Sequence, residues 1–258
     1  MSETFANGIE KKMYTGELDF SSFKKSFQKL CEKKHLSEAW RMFVYMTAWE
    51  IADHCGNQNQ HLYNEYWNYY KQLNEVEHKA LLELMGIAQL QFSKDPYHDW
   101  LGEMYMAEGL ADKKNKSQFF TPRDLSRLAA KLSMGTKEDI QKEIDKKGYI
   151  SLSDDCIGAG SMPLAALEEL DRMGFDPKTD VRLWGRDNSE MVLLQAYIQL
   201  SLAGAAGYLI LGDTLTLKNE YALWTPQMLS DVWQARIAWE NLELLLESSP
   251  RREEAATE

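Results

Sequence analysis

The sequence predicts an α/β protein, a helical N-terminal region followed by a parallel sheet with crossover helices. Two observations carry this. Apolar residues recur at three- and four-residue steps through roughly the first 115 residues, with no β-alternation. After Gly148 the pattern changes, and β-rich runs ("GYISLSD", "DVRLWGRD", "GYLILGD") alternate with helical ones ("PLAALEELDRMG", "SEMVLLQAYIQLSLAG"). Short links between such runs imply parallel strands joined by helices. The expected division is a helical region over 1–115, a sheet domain over 116–248 and a charged tail over 249–258.

In order, Phe20, Phe23, Phe27, Leu30 and Cys31 share one face of a first helix. Ser37 is placed to cap a second, carrying Trp40, Phe43, Val44, Met46 and Ile51. A longer helical stretch over roughly 60–92 ends before Pro96, and a short helix covers Asp99 to Leu110. Thr121 and Pro122 suit the start of a helix that runs to about Leu132. Thr136 with Asp139 starts another, which closes on Gly148. Gly174 and Gly204 close the two crossover helices. The segment "TPQMLSDVWQARIAWENLELLLESS" is one amphipathic helix.

Composition bounds the function. The 258 residues suffice for a sizeable core, and no apolar run approaches the roughly 18 residues of a membrane span. The start lacks the apolar core of a signal peptide, and Cys31, Cys55 and Cys156 suggest no disulfide framework, so a cytoplasmic setting is expected. His35, His54, His61, His78 and His98 form no pair at metal-ligand spacing, and no metal site is expected. A net charge of −11 is the opposite of a DNA binder's usual basic footprint. Basic residues cluster locally, at Lys24, Lys25, Lys29, Lys33 and Lys34, and at Lys113, Lys114, Lys116, Arg123 and Arg127.

The chemistry gathers at the ends of the expected strands. "SDDCIGAGSMPLA" places Gly158 and Gly160 between a strand and a helix. Missing side chains let a ligand touch the backbone there, and a helix N-terminus offers free N–H groups. A lone Gly-x-Gly also serves as a plain tight turn. Asp187 ends the second strand, where an acid meets the ribose hydroxyls of a nucleoside cofactor. Asp213 ends the third, where a carboxylate can accept from an adenine amine. Three successive strand ends form the crevice in which open α/β sheets bind ligands.

The blocks "SQFFTPRD", "SDDCIGAGSMPLAA", "WGRDNSEMVLLQAYIQLSLAG" and "LGDTL", in this order and spacing, resemble the N6-adenine DNA methyltransferases, especially the modification subunits of type I restriction systems. The chain is similar as well to short methylase-like proteins of phages and mobile elements. The resemblance implies a truncated Rossmann-like methyltransferase domain that uses S-adenosyl-L-methionine. It assigns Asp154, Gly158 and Gly160 to the cofactor loop, Asp187 to the ribose and Asp213 to the adenine. It puts Phe120, Thr121 and Pro122 at the methionine end. Asp155 and Ile157 depart from the family's proline and cysteine.

The family's catalytic motif, Asn or Asp followed by two prolines and an aromatic, holds the flipped base. It is absent, and no catalytic residue is identified; "LWTPQ", with Trp224 as a stacking partner, is the one stand-in. No fourth to seventh strand is evident, so the chain supplies half of the usual sheet. Two functions follow: a methyltransferase-like cofactor binder acting on DNA, or an inactive homologue that serves as an anti-restriction or regulatory binding protein. The exposed edge of a half-sheet leaves a protein partner or a second copy open.

Overall fold

A computed structural model describes residues 20–110 and 121–248. Phe120, Lys113, Lys114, Lys116 and the tail expected over 249–258 lie outside the described residues, as does the boundary expected between 115 and 116.

The N-terminal region is helical: α1 (Phe20–Cys31), α2 (Leu36–His54), α3 (Gln60–Tyr70), α4 (Glu75–Lys94) and α5 (Trp100–Ala107). The stretch expected as one helix over 60–92 is two, because Asn74 starts a new one. Its side chain accepts from the Glu77 amide (3.0 Å), and the Glu77 carboxylate accepts from the Asn74 amide (2.8 Å). That reciprocal pair satisfies two amides a helix start leaves orphaned. At α2 the expected cap, Ser37, gives way to His35, whose Nδ1 accepts from the Ser37 amide. Aromatic rings fill the region: Phe23 meets Trp100 edge-on at 4.9 Å and Phe43 at 5.3 Å.

Next come α6 (Arg123–Ser133) and α7 (Lys137–Lys147), then β1 (Ile150–Asp154), α8 (Ser161–Met173), β2 (Val181–Asp187), α9 (Glu190–Leu202) and β3 (Ala206–Asp213). Pro122, not Thr121, is the N-cap of α6, and no side chain caps it. Thr136 caps α7 by accepting from the Asp139 amide (3.2 Å). β1 pairs parallel with β2, and β2 parallel with β3, as the alternating pattern requires. Every residue from Val192 to Leu200 of α9 is buried, unlike a surface helix with one polar face. The reason is its place between the sheet and the N-terminal helices: α9 packs on α2 and β3. One core cluster accordingly runs from Phe23 through Leu194 to Leu223. Each fully buried leucine there contributes about 2 kcal/mol.

Two expectations about the sheet are corrected. A fourth strand exists, β4 (Lys218–Trp224), and it lies antiparallel to β3, so the sheet is mixed rather than wholly parallel. The link is too short for anything else: a parallel return needs a crossover of a dozen or more residues, and only Thr214 to Leu217 intervene. The strand order is β1-β2-β3-β4, which leaves β1 at one edge and β4 at the other. A 3₁₀ turn (Pro226–Leu229) and α10 (Asp231–Ser248) complete the described chain. They cover part of the second sheet face, where Tyr149, Ala206, Met228 and Trp233 form a small cluster. Arg182 ties α10 down by donating to Glu240 (2.7 Å).

Candidate functional site

β1 ends at Asp154 and the chain turns into α8 through residues 155–160. Gly158 and Gly160 both have positive φ, +56° and +99°, where other residues are strained. Gly160 is the N-cap of α8 with no side-chain cap. A side chain there would start 3.4 Å from the Ala196 Cβ of α9, so glycine lets loop and helix meet closely. At Gly158 an added Cβ would meet nothing within 4 Å, so its backbone faces open space. Ile157 anchors the loop from below: it is 3% exposed and fills the room left by the missing side chain of Gly185.

The three strand ends converge as the sequence requires. Asp187 at the end of β2 accepts from the Gly158 amide (2.9 Å) with one oxygen and from the Ser189 amide (2.9 Å) with the other. The turn after β3 reaches the same loop, where the Thr214 hydroxyl donates to the Asp155 carbonyl (2.6 Å). Asp213 accepts from the amides of Leu215 (2.8 Å) and Thr216 (2.9 Å), and these bonds hold its carboxyl below the usual range.

Carboxylates concentrate here. Burial raises the Asp154 carboxyl above its ordinary value, and the charges of Asp187 and Asp155 add to the rise against an opposing bond from the Cys156 amide. Among the described residues, Arg186 answers them, 3.6 Å from Asp155. A crevice of this kind favours a ligand with hydroxyl donors and positive charge. Each carboxylate oxygen has two acceptor positions, so Asp187 can take hydroxyls while keeping its amide bonds.

Thr121 and Pro122 lead into α6, and the Thr121 carbonyl accepts from the Ser126 hydroxyl of that helix. α6 packs on α8, where Arg127 donates to Glu168 (2.6 Å) and Arg123 lies 3.8 Å from the same carboxylate.

Trp224 is not brought to the site. β4 runs antiparallel, so Trp224 pairs with Tyr208 near the start of β3 while Lys218 pairs with Asp213. The five residue steps from Tyr208 to Asp213 span about 17 Å. The segment "LWTPQ" therefore lies at the opposite end of the sheet and cannot stack on a base held at the crevice.

Two polar clusters escaped the sequence. Gln199, fully buried in α9, donates to the Ala159 carbonyl (2.7 Å) and to Asp99 (2.8 Å), and accepts from the Leu101 amide (2.9 Å). It fastens the glycine loop to the start of α5. Glu190, at the start of α9, accepts from Tyr221 (2.7 Å) and Tyr45 and pairs with His61 (2.9 Å). Their partners lie tens of residues away, so no local spacing reveals them.

Among the described residues, no group of three His, Cys, Asp or Glu side chains is arranged to hold a metal, and no helix is long and apolar enough to cross a membrane. The sequence profile of the N-6 DNA Methylase family matches residues 97–232, just over half of the chain. The chain is 27% identical over 145 residues to the type I restriction enzyme MjaIX methylase subunit of Methanocaldococcus jannaschii, covering 54% of itself and 23% of that protein. It thus spans about a quarter of that relative's length. A solved structure, the type I restriction-modification system methyltransferase subunit from Streptococcus thermophilus, is 17% identical, with 80% of this chain and 59% of that one covered and a TM-score of 0.39. The family assignment rests on the sequence match.

Proposed function

The chain belongs to the N-6 DNA methylase family, and from that premise we propose that it binds S-adenosylmethionine at the β1–β3 strand ends but does not methylate adenine unaided. When bound, that cofactor supplies an electrophilic methyl group. The residues that would hold it are Asp154, Gly158, Gly160, Asp187 and Asp213, with Thr121 and Pro122 at the rim. The observation that carries the reading is the bond between Asp187 and the Gly158 amide, which joins the ribose-type acid to the glycine loop. The carboxylates around Asp154 suit the cofactor's sulfonium and ammonium charges and its ribose hydroxyls. The open backbone at Gly158 gives close approach.

Transfer needs more than a donor. An acceptor nitrogen must be held in line, and that orientation supplies much of an enzyme's acceleration. The sequence contains no Asn-Pro-Pro or Asp-Pro-Pro, and the one stand-in lies at the wrong end of β4. Calorimetric titration with S-adenosylmethionine tests the binding, and transfer of labelled methyl groups to adenine-containing DNA tests the rest. Binding without transfer is the expected pair of results. Absence of binding would favour the purely regulatory homologue, and transfer by the chain alone would refute its dependence on a partner.

A further inference from the structure

The two edges of the sheet are built differently. β4 carries Lys218 and Glu220 at exposed positions, and its pairing with β3 slips at Leu211/Gly212. Charges and bulges of this kind keep an edge from pairing with another chain. β1, "ISLSD", has no proline, no lysine and no bulge. The Ile150 amide donates to the Asp180 carbonyl toward β2 (2.8 Å). Strand alternation therefore turns the N–H and C=O groups of Ser151 and Ser153 outward, where no strand lies among the described residues.

Beside that edge runs a groove of about 700 Å³, whose floor includes Ala130, Met134, Ile140, Ile150, Leu152 and Ala166. It touches all of β1 from Ile150 to Asp154, about 17 Å of extended chain. The helix flanking it, α6, turns leucines to solvent: Leu125, Leu128 and Leu132 are 55%, 53% and 78% exposed. On the sheet's other face, Trp184 of the neighbouring strand is stacked on Tyr208 and is 40% exposed. Apolar surface thus surrounds a line of unpaired backbone groups. Strand addition uses this combination, with main-chain bonds for affinity and alternate side-chain pockets for specificity.

Charge identifies the occupant. Among the described residues, Asp139, Glu143 and Asp154 line the groove against one cation, Lys147. A second copy of a chain of net charge −11 would bring these acids face to face. We propose that the β1 edge receives an extended strand of a partner polypeptide, apolar at alternate positions and flanked by lysine or arginine, which continues the sheet beyond β1.

The test uses two synthetic ten-residue peptides with the same alternating threonine–isoleucine core, one ending in lysine pairs and one in glutamate pairs. Fluorescence anisotropy with the full chain should give saturable binding of the lysine-ended peptide and at least tenfold weaker binding of the other. Ser153→Pro removes an outward N–H without touching the β1–β2 ladder, and should weaken binding at least tenfold. Hydrogen exchange reads the wild-type chain directly, whatever the variant does: the Ser151 and Ser153 amides should exchange freely alone and slow with peptide, while the Leu152 amide stays protected throughout. The proposal is overturned by absence of saturable binding, by equal affinity for the two peptides, or by undiminished binding to a folded Ser153→Pro. It is overturned equally by protection of the Ser151 and Ser153 amides that rises with protein concentration without peptide, which would assign the edge to a second copy.

Discussion

Asp99 is 5% exposed and holds the Gly102 amide and Gln199 in a region with little water. Burial raises its carboxyl above the ordinary value, outweighing the bonds that favour ionisation. The unfolded carboxyl titrates near pH 4. Below that pH both states are protonated, and folding keeps the full benefit of the neutral side chain. As pH rises toward the raised folded value, ionisation takes that benefit away. Asp99→Asn removes this loss while its amide oxygen can still accept both bonds. Urea midpoints from pH 3 to 8 should show the variant gaining on the wild type above about pH 4 and levelling off once the folded group has ionised. A constant difference across the range would contradict the account. Asp99 was legible as the start of a short helix but not as a buried acid, because burial depends on Gln199, 100 positions away.

At the level of elements, the glycine loop is held at several points, among them Ile157 on Gly185, Asp187 on the Gly158 amide, and Gln199 on the Ala159 carbonyl. Gln199→Leu removes the last and leaves the Leu101 amide and the Ala159 carbonyl unpaired in the core. Buried groups left unpaired cost about 1–3 kcal/mol each, so the variant should lose about 3 kcal/mol, read as a lower urea midpoint at unchanged slope. The strands β1 to β3 and helices α8 and α9 were readable because glycines punctuate runs of distinct period. β4 was not, because its first three residues, Lys218, Asn219 and Glu220, are exposed and Leu223 alone is buried. An edge strand with so few inward residues has no period to detect. The break between α3 and α4 was legible but missed: Asn74 and Glu77 stand at capping-box spacing, inside an apolar pattern that runs across them, and their mutual bonds start the new helix.

For the whole molecule, the helical region and the sheet share one core, since α9 packs on α2 on one side and on β3 on the other. Thermal unfolding followed by far-ultraviolet and near-ultraviolet dichroism should give one coincident transition. Two transitions would mean that the N-terminal helices fold as a separate unit. The same architecture confines the residues proposed to hold the cofactor to one end of a sheet whose outer strand, β1, has no neighbour beyond it among the described residues. The glycine loop and the two acids of the crevice were visible in the sequence because they follow strand ends in fixed order. The position of Trp224 was not, because it depends on the direction of β4.

The central claim is that Asp187 and the glycine loop form a cofactor site, and calorimetric titration of S-adenosylmethionine into the wild type and Asp187→Ala tests it most directly. The account predicts one saturable site, weakened about 10- to 100-fold in the variant, as expected for loss of a charge-assisted hydrogen bond worth about 1.5–3 kcal/mol. Equal affinity of the two proteins, or no binding heat from the wild type, would contradict it.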